Sequence, residues 1–592
     1  MINGDTLSRK PVLIIVFLLL FLQFFTYSRF QQNRVKASDS YPVHNLNTGL
    51  NYTTIQEAIN ANETLDGQII HVDSGTYDER ITISKSISLI GEGGNTTIIN
   101  GTGKLWAVSI NANNVTFSGF MVEEGGRGLN IIINGGIFII SNNCRVYDNT
   151  IRYSDNYGAG IQLPGDFVSG NIVENNTITN CTYGILSGGN NCELTNNIVK
   201  NCYSGAAVQG NNNVLRNNSF ADNRFDFGAN GIQDIDETNL VSGKPIIYWI
   251  DQHDRETPVN AGYVSLLNCV NITIAGMIAS NVSEGISLVN TTNSVIRDTI
   301  LSDCENSCIY LFNSSGNTVE NSSLNGGSDL VQITFSNSNR IDRCVMNGSV
   351  YGVSARYSEH NSITDSLFEN NYEDIDIVAC GDINVYHNNF INGTKVSTFT
   401  SNITLDNGFE GNYWSDYNGT DSNHDGIGDT PHVIDANNTD HYPLMGTFQS
   451  FIVRANAPPL SRLEEIEVIS NSTIGNVNVS QAFQPTDYGW FLELTGVTGL
   501  EGTTGFCRIT FANDIINASY YQVLINGTFT SSSRIVGSNG TYTTVYFTYV
   551  HPVFGSVIEV FPEFPSFLVL PLFFITTLFA VIFYKRRHLP RA

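Results

Sequence analysis

Asp374 and Asp376 stand two residues apart in a run that reads Glu-Asp-Ile-Asp-Ile from 373 to 377. On a strand, the isoleucines would point into a core and both carboxylates would face out, about 6 to 7 Å apart. That separation falls near the boundary between retaining and inverting glycoside hydrolysis, so the pair is a candidate catalytic couple. A second constellation runs from Asp421 to Asp429, with Asn423, Asp425 and the Ile427 carbonyl between them and Gly426 at the sixth position. Hard oxygen ligands at this spacing match the first part of an EF-type calcium loop. The glutamate that ends such a loop is replaced by His432, so Asp435 or Asp440 would have to complete the shell. A polar turn closing a repeat fits the same residues equally well. His424, His432 and His441 are grouped, but the five methionines show no M-x-x-M clustering, and soft Cu(I) ligation is poorly supported. A Cu(II) or zinc site in that group stays open. The ten cysteines contain no C-x-x-C, which indicates neither a zinc site nor a redox pair.

What must position these residues is a ladder from Asn271 to Ile391. Asn271, Asn293, Asn317, Asn339 and Asn361 each open a segment of alternating apolar and polar residues. In step with them, Ile286, Ile309, Val331, Val353 and Ile375 recur at intervals of 23, 22, 22 and 22, each followed two residues on by Leu288, Leu311, Ile333, Ala355 or Ile377. Apolar residues at i and i+2 are strand spacing with one buried face, and a repeat of this length without a helical stretch is the pattern of a parallel β-solenoid. The expected fold is all-β, a right-handed parallel β-helix of 21 to 24 residues per coil. In that frame the columns of Asp374 and Asp376 hold Gly352 and Ser354, then Leu330 and Gln332, then Cys308 and Tyr310. Tyr310, Gln332 and Asp376 would line a polar, partly aromatic face along which a polysaccharide could lie. Between 142 and 223 the period is nearer 21, with Asn175, Asn196 and Asn217 at corners that asparagine suits. Cys181 and Cys202 are one period apart and should stack about 5 Å apart, as unpaired core thiols in preference to a disulfide.

Acids outnumber bases 55 to 29, for a formal charge of -26. Such a surface repels nucleic acid and excludes it as a partner. Residues 1–40, with an apolar run from Pro11 to Phe25, have the layout of a secretory signal or an uncleaved signal anchor. The β-helix is expected over 41–446, with an amphipathic helical cap near 52–59 and a loop insertion at 225–263. Pro458 and Pro459 close a linker at 447–460, and about seven short alternating runs over 461–561 suit a small Ig-like β-sandwich. Phe567 to Tyr584 is an apolar run of 18 residues ending in Lys585-Arg-Arg587, so 562–592 reads as a transmembrane or sorting segment. About two dozen N-x-S/T sites fit an exported glycoprotein.

Three stretches carry resemblances. Thr54-Ile-Gln-Glu-Ala-Ile59, Gly75-Thr-Tyr-Asp-Glu79 and Leu89-Ile-Gly-Glu-Gly93 resemble the capping entry of pectinesterase-like β-helix proteins. Gly243-Lys-Pro-Ile-Ile-Tyr-Trp249, Ala261 to Thr273, Gly411-Asn-Tyr-Trp-Ser-Asp-Tyr417 and Asp440-His-Tyr-Pro-Leu444 are similar to the NosD-type β-helix family. That resemblance implies the solenoid fold and groups the chain with carbohydrate-binding and sugar-hydrolase solenoids; the family's name comes from copper-site maturation. Pro562-Glu-Phe564 with the apolar run behind it resembles a PEF-type sorting signal. The Gly-His-Gly of polygalacturonase-like hydrolases and the Asp and Arg pattern of pectinesterases are missing. The preferred expectation is therefore a module anchored on the extracellular face of the membrane that binds glycans or builds the envelope without catalysis. A polysaccharide hydrolase or lyase using Asp374 and Asp376 is the alternative, and a copper-related accessory protein the second.

Overall fold

The computed structural model describes residues 41–562, apart from 102–105, 124–134, 153–157, 393–395, 456–461, 484–487, 517, 519, 531–532 and 552–554. The expected signal over 1–40 and the expected segment beyond Pro562 lie outside the described residues. Among the described residues, no helix is long and apolar enough to cross a membrane. The strands build a right-handed β-solenoid of about 15 turns with almost no helix. The chain divides into two compact units, residues 1–291 with 300–310 and residues 292–299 with 311–592.

Unit 1 begins with a cap. Thr54 caps the helix Ile55–Asn60, its side chain accepting from the Glu57 amide, and Glu79 accepts from the Ile55 and Gln56 amides at 2.9 and 3.0 Å. The glutamate of the Gly-x-Tyr-x-Glu run thus satisfies helix N–H groups that would otherwise be orphaned. The coils behind it stack in parallel, and one sheet runs through ten strands from Asn51–Tyr52 to Asp234–Ile235. Asparagine doublets work as pairs. Asn175, Asn196 and Asn217 take φ near 55° at the corner, while Asn176, Asn197 and Asn218 turn inward. Each inward amide donates to the next across a coil, at 3.1 Å from Asn176 to Asn197 and 3.0 Å from Asn197 to Asn218. Cys181 and Cys202 stack as expected, as free thiols in the core.

The stretch 225–263 corrects the expectation of a loop insertion. Phe225–Ala229 continues the stack below it in parallel, and Lys244–Ile250 pairs in parallel with Tyr263–Leu267. Between them Ser242 and Gly243 take φ of 48° and 79°, and Lys244 turns back antiparallel onto Val241. Lys244 sits on this chain reversal, the charged run His253–Glu256 is an exposed strand paired in parallel with Val270–Ala275, and the buried Tyr263 ring meets Phe227 edge-on at 5.2 Å.

Unit 2 holds the later coils and the last domain. Val331, Val353 and Ile375 stack in one inward column and Ile333, Ala355 and Ile377 in the next, as the period requires. The asparagines are less uniform than their spacing implies. Asn317, Asn339 and Asn361 form a buried ladder, but Asn293 takes the exposed corner with φ of 54°, and Ser294 stands in its ladder place, donating its amide to Asn317 at 2.9 Å. Asn271 likewise takes an exposed corner, with φ of 55°, so the alignment is one residue out at Asn271 and Asn293. Residues 447–455, expected as linker, form the strand Thr447–Ala455, which pairs with Arg462–Ser470. The last domain consists of two five-stranded antiparallel sheets around one core, built on Ile466, Val468, Leu492, Ile509, Phe547 and Val560. It matches the Ig-like expectation in being a sandwich of two antiparallel sheets, with ten strands where the alternating runs suggest about seven.

Candidate functional site

Asp374 and Asp376 do not form a pair facing solvent. Asp374 is buried and accepts from Asn371 Nδ2 at 3.0 Å, clasping the corner that leads into the strand. Asp376 does face outward, where Arg356 Nη2 donates to it at 2.7 Å. Asp374 lies within the strand Glu373–Val378, but the register with the preceding coil passes from Glu373 to Ile375 and skips it, so alternation is interrupted and Asp374 and Ile375 are both buried. Gln332 and Asp376 keep their outward columns, with Ser354 between them in register. Tyr310 lies in unit 1, with burial and Glu284 raising its pKa.

The loop 421–429 is laced on itself. Asp421 accepts from the Asp425 and Gly426 amides, both at 2.9 Å, Asp425 from the Ile427 amide at 2.9 Å, and Asp429 from the Ser422 amide at 2.7 Å. Asn423 Nδ2 donates to Asp425 at 3.1 Å. Neither acid expected to complete a calcium shell is turned toward it. Asp435 is held by Thr398 and Asn438, and Asp440 accepts from Trp414 Nε1 and the Asn412 amide, both at 2.8 Å. The three histidines part as well. His432 stacks on Trp414 at 4.7 Å, His441 meets Asp406 at 3.1 Å, and the His424 carbonyl accepts from Arg534 at 2.6 Å.

The same contacts explain the Gly-Asn-Tyr-Trp and Asp-His-Tyr-Pro runs. Asn412 ends an asparagine ladder by accepting from Asn388, and Trp414 ends the internal stack Phe368, Phe390, Trp414 with ring distances of 5.0 and 4.5 Å. Gly411 must lack a side chain, since a Cβ there would stand 1.9 Å from the Asp440 carboxylate. Burial pushes the Asp440 pKa up to about 6. These residues close the last coil.

Beside that closure lies a cleft of about 880 Å³, lined among others by Phe409, Glu410, Glu467, Arg508 and Tyr542. The spacing of these residues in the chain gives no sign of their meeting: Glu410 precedes the glycine of the closing motif, while Glu467 and Arg508 sit on paired strands of the sandwich. Arg508 Nε donates to Glu410 at 2.8 Å, and its Nη1 donates to the Asp425 carbonyl at 2.9 Å. On the other side Glu410 meets His387 Nε2 at 3.2 Å, and His387 Nδ1 lies 3.4 Å from Asp365. Phe448 stacks on the His387 ring at 4.1 Å. Burial alone would depress His387, but Asp365 and Glu410 outweigh it and hold its pKa at about 9. Burial would raise Glu410, and His387 with Arg508 outweigh that and lower it. Burial and then Glu410's charge push Glu467 up to about 7. Two carboxylates in one cleft are thereby driven in opposite directions, while Phe409 and Tyr542 leave 77% and 47% of their surfaces exposed at its rim.

The family model described as periplasmic copper-binding protein (NosD) matches residues 59–243 and again 242–419. The donor set of the described residues does not fit copper. Among the described residues, no group of three or more His, Cys, Asp or Glu could hold a metal ion. The thiols are buried, and several turn to carbonyls of their own coils, as Cys269 does to Leu267 and Cys344 to Asp342, both at 3.3 Å. A cell surface glycoprotein of Methanothermus fervidus is 38% identical over 111 residues, 19% of this chain and 17% of that protein. Among solved structures, the Dettilon tailspike protein is 11% identical, covering 83% of this chain and 87% of its own, with a TM-score of 0.19. The mannuronan C-5 epimerase A-module of Azotobacter vinelandii is 13% identical over 59% and 93%, with a TM-score of 0.20. Scores this low carry no argument. The two family matches meet where Ser242 and Gly243 reverse the chain, so each copy of the family unit corresponds to one stretch of stacked coils. Matched over most of its length, the chain belongs to the NosD family of β-helix proteins.

Proposed function

We infer that this is a β-helix protein of the outer cell surface that binds glycan without cleaving it. The observation that carries the reading is the cleft beside the last coil, where exposed aromatic rings border Glu410, a carboxylate that is already engaged. Glu410 is held by both Arg508 and His387, so it fixes the cleft's walls and is poorly placed to exchange protons with a substrate. Aromatic faces beside hydrogen-bonding groups suit a sugar, which is apolar on its ring faces and polar at its edge. The partly matching surface glycoprotein, the sequons and the acidic surface support an extracellular place, and the segment beyond Pro562 would supply the anchor. A glycan array probed with the full chain is expected to return neutral polysaccharides, with signal reduced in Tyr542→Ala. An array without a hit would remove the reading.

One observation favours a second reading. Glu467, pushed up to about 7 by burial and the Glu410 charge and so about half protonated at neutral pH, stands beside an ionised Glu410 in the arrangement of a general acid next to a second carboxylate. In this reading a hydrolase would use the cleft in place of Asp374 and Asp376. Release of reducing ends, abolished in Glu467→Gln, would establish it over the first.

A further inference from the structure

Unit 2 repeats one exposed corner on successive coils. Asn313, Phe335, Tyr357, Ala379 and Thr400 occupy it, with φ of 48°, 51°, 53°, 54° and 52°. The amides of the first four each donate to a carbonyl of the next coil at 2.9 to 3.1 Å, so the corner keeps its form whatever residue stands there. A left-handed backbone suits asparagine and is an outlier for a bulky aromatic residue. Burial does not offset the strain, because Phe335 and Tyr357 are 51% and 56% exposed. They stack on each other instead, at 5.1 Å and 12°, and Phe312 meets Phe335 edge-on at 5.9 Å. Above Tyr357 the stack stops at Ala379. One coil further stands Phe399, 69% exposed, in register with Val378. Strained residues that persist at an exposed position point to use.

We propose that this corner is a carbohydrate subsite, in which one uncharged pyranose ring of a polysaccharide lies on the open face of Tyr357 above Ala379. Two coil spacings of about 4.8 Å each separate Tyr357 from Thr400 in this corner, and Ala379 between them carries only a methyl, which leaves room for one ring on the open face of Tyr357. The flanks offer hydrogen-bonding groups: the Arg356–Asp376 pair at 2.7 Å on one side and His360 with Asp382 at 3.3 Å on the other. Asp376 and Asp382 can accept from sugar hydroxyls and would repel an acidic sugar, so a hydroxyl-rich neutral ligand fits these flanks. The inference rests on the glycan reading above and adds to it a second place of contact and the ligand's class.

The test is calorimetric titration of the full chain with neutral hexasaccharides of β-1,4-linked glucose, β-1,4-linked N-acetylglucosamine and α-1,4-linked glucose, alongside choline as a cationic probe. Wild type is expected to bind at least one sugar. Tyr357→Asn should weaken that binding about tenfold or more while its melting temperature holds or rises, because asparagine suits the corner. Ala379→Phe, which fills the gap, should weaken it similarly. Sugar binding that is unchanged in both variants, or binding of choline alone, would overturn the subsite. Unchanged variants would leave the glycan reading standing, whereas no sugar bound by wild type would overturn both.

Discussion

Asn339 and Phe335 belong to the same coil, four residues apart, and follow opposite rules. Asn339 is buried, accepts from the Asn317 amide and side chain at 2.9 and 3.1 Å, and donates to the Ser314 carbonyl and to Asn361 at 2.9 and 3.1 Å. The side chain must accept and donate at once in a buried place, so the position selects for asparagine. Phe335 sits where asparagine would be more comfortable, gains little burial, and keeps its ring in water. The difference separates what the solenoid needs from what it carries. A residue that meets its position's demands belongs to the structure; one that departs from them without local gain is the better place to seek function.

The comparison can be broken from either side. The largest effect is expected where the Asn388–Asn412 ladder ends beside buried charge. Glu410→Ala leaves Arg508 and His387 without their shared partner and should cost about 3 to 5 kcal/mol, measured by chemical denaturation. A loss under about 1 kcal/mol would mean the cluster is solvated and the cleft's walls are not fixed. Next, Asn339→Leu orphans several buried backbone and amide groups and should cost about 3 kcal/mol. If it proves neutral, the ladder is not what dictates the residue.

The same buried charges set a pH dependence. Glu467 and His387 both have raised folded pKa values, at about 7 and about 9. Their stabilising contributions are full below the unfolded values, near 4.5 and 6.5, and are lost as pH rises through the folded ones. Stability should therefore fall between about pH 5 and pH 9, by about 3 kcal/mol for each group. Glu467→Gln should flatten the lower part of that fall, between about pH 4.5 and 7. Stability that rises over the range would reverse the assignment. The smallest effect concerns the loop 421–429, whose carboxylates already hold the loop's own amides. Millimolar calcium is expected to raise the melting temperature by about 2 °C or less. A rise above about 5 °C that disappears in Asp425→Ala would make the loop a calcium site in its own right.

The fold is legible in the sequence because a solenoid writes its period into the chain. Columns such as Val331, Val353 and Ile375 align from spacing alone, and the capping and closing runs mark the two ends. The site is legible only in part. The corner of Phe335 and Tyr357 follows Asn313 at the same interval, so its break in residue type can be read once the register is fixed. The cleft cannot, because Glu410, Glu467 and Arg508 are joined by packing between a coil and a sandwich strand, and no local period links them. Asp374 misleads for a third reason: alternation predicts facing only where the strand register is regular, and the pairing with the preceding coil skips Asp374.

The central claim, binding without cleavage, is tested most directly by cosedimentation with an insoluble neutral polysaccharide while reducing ends in the supernatant are measured. The account predicts that the protein leaves the supernatant with the pellet and that no reducing ends appear. Protein remaining in solution, or reducing ends accumulating with time, would contradict it.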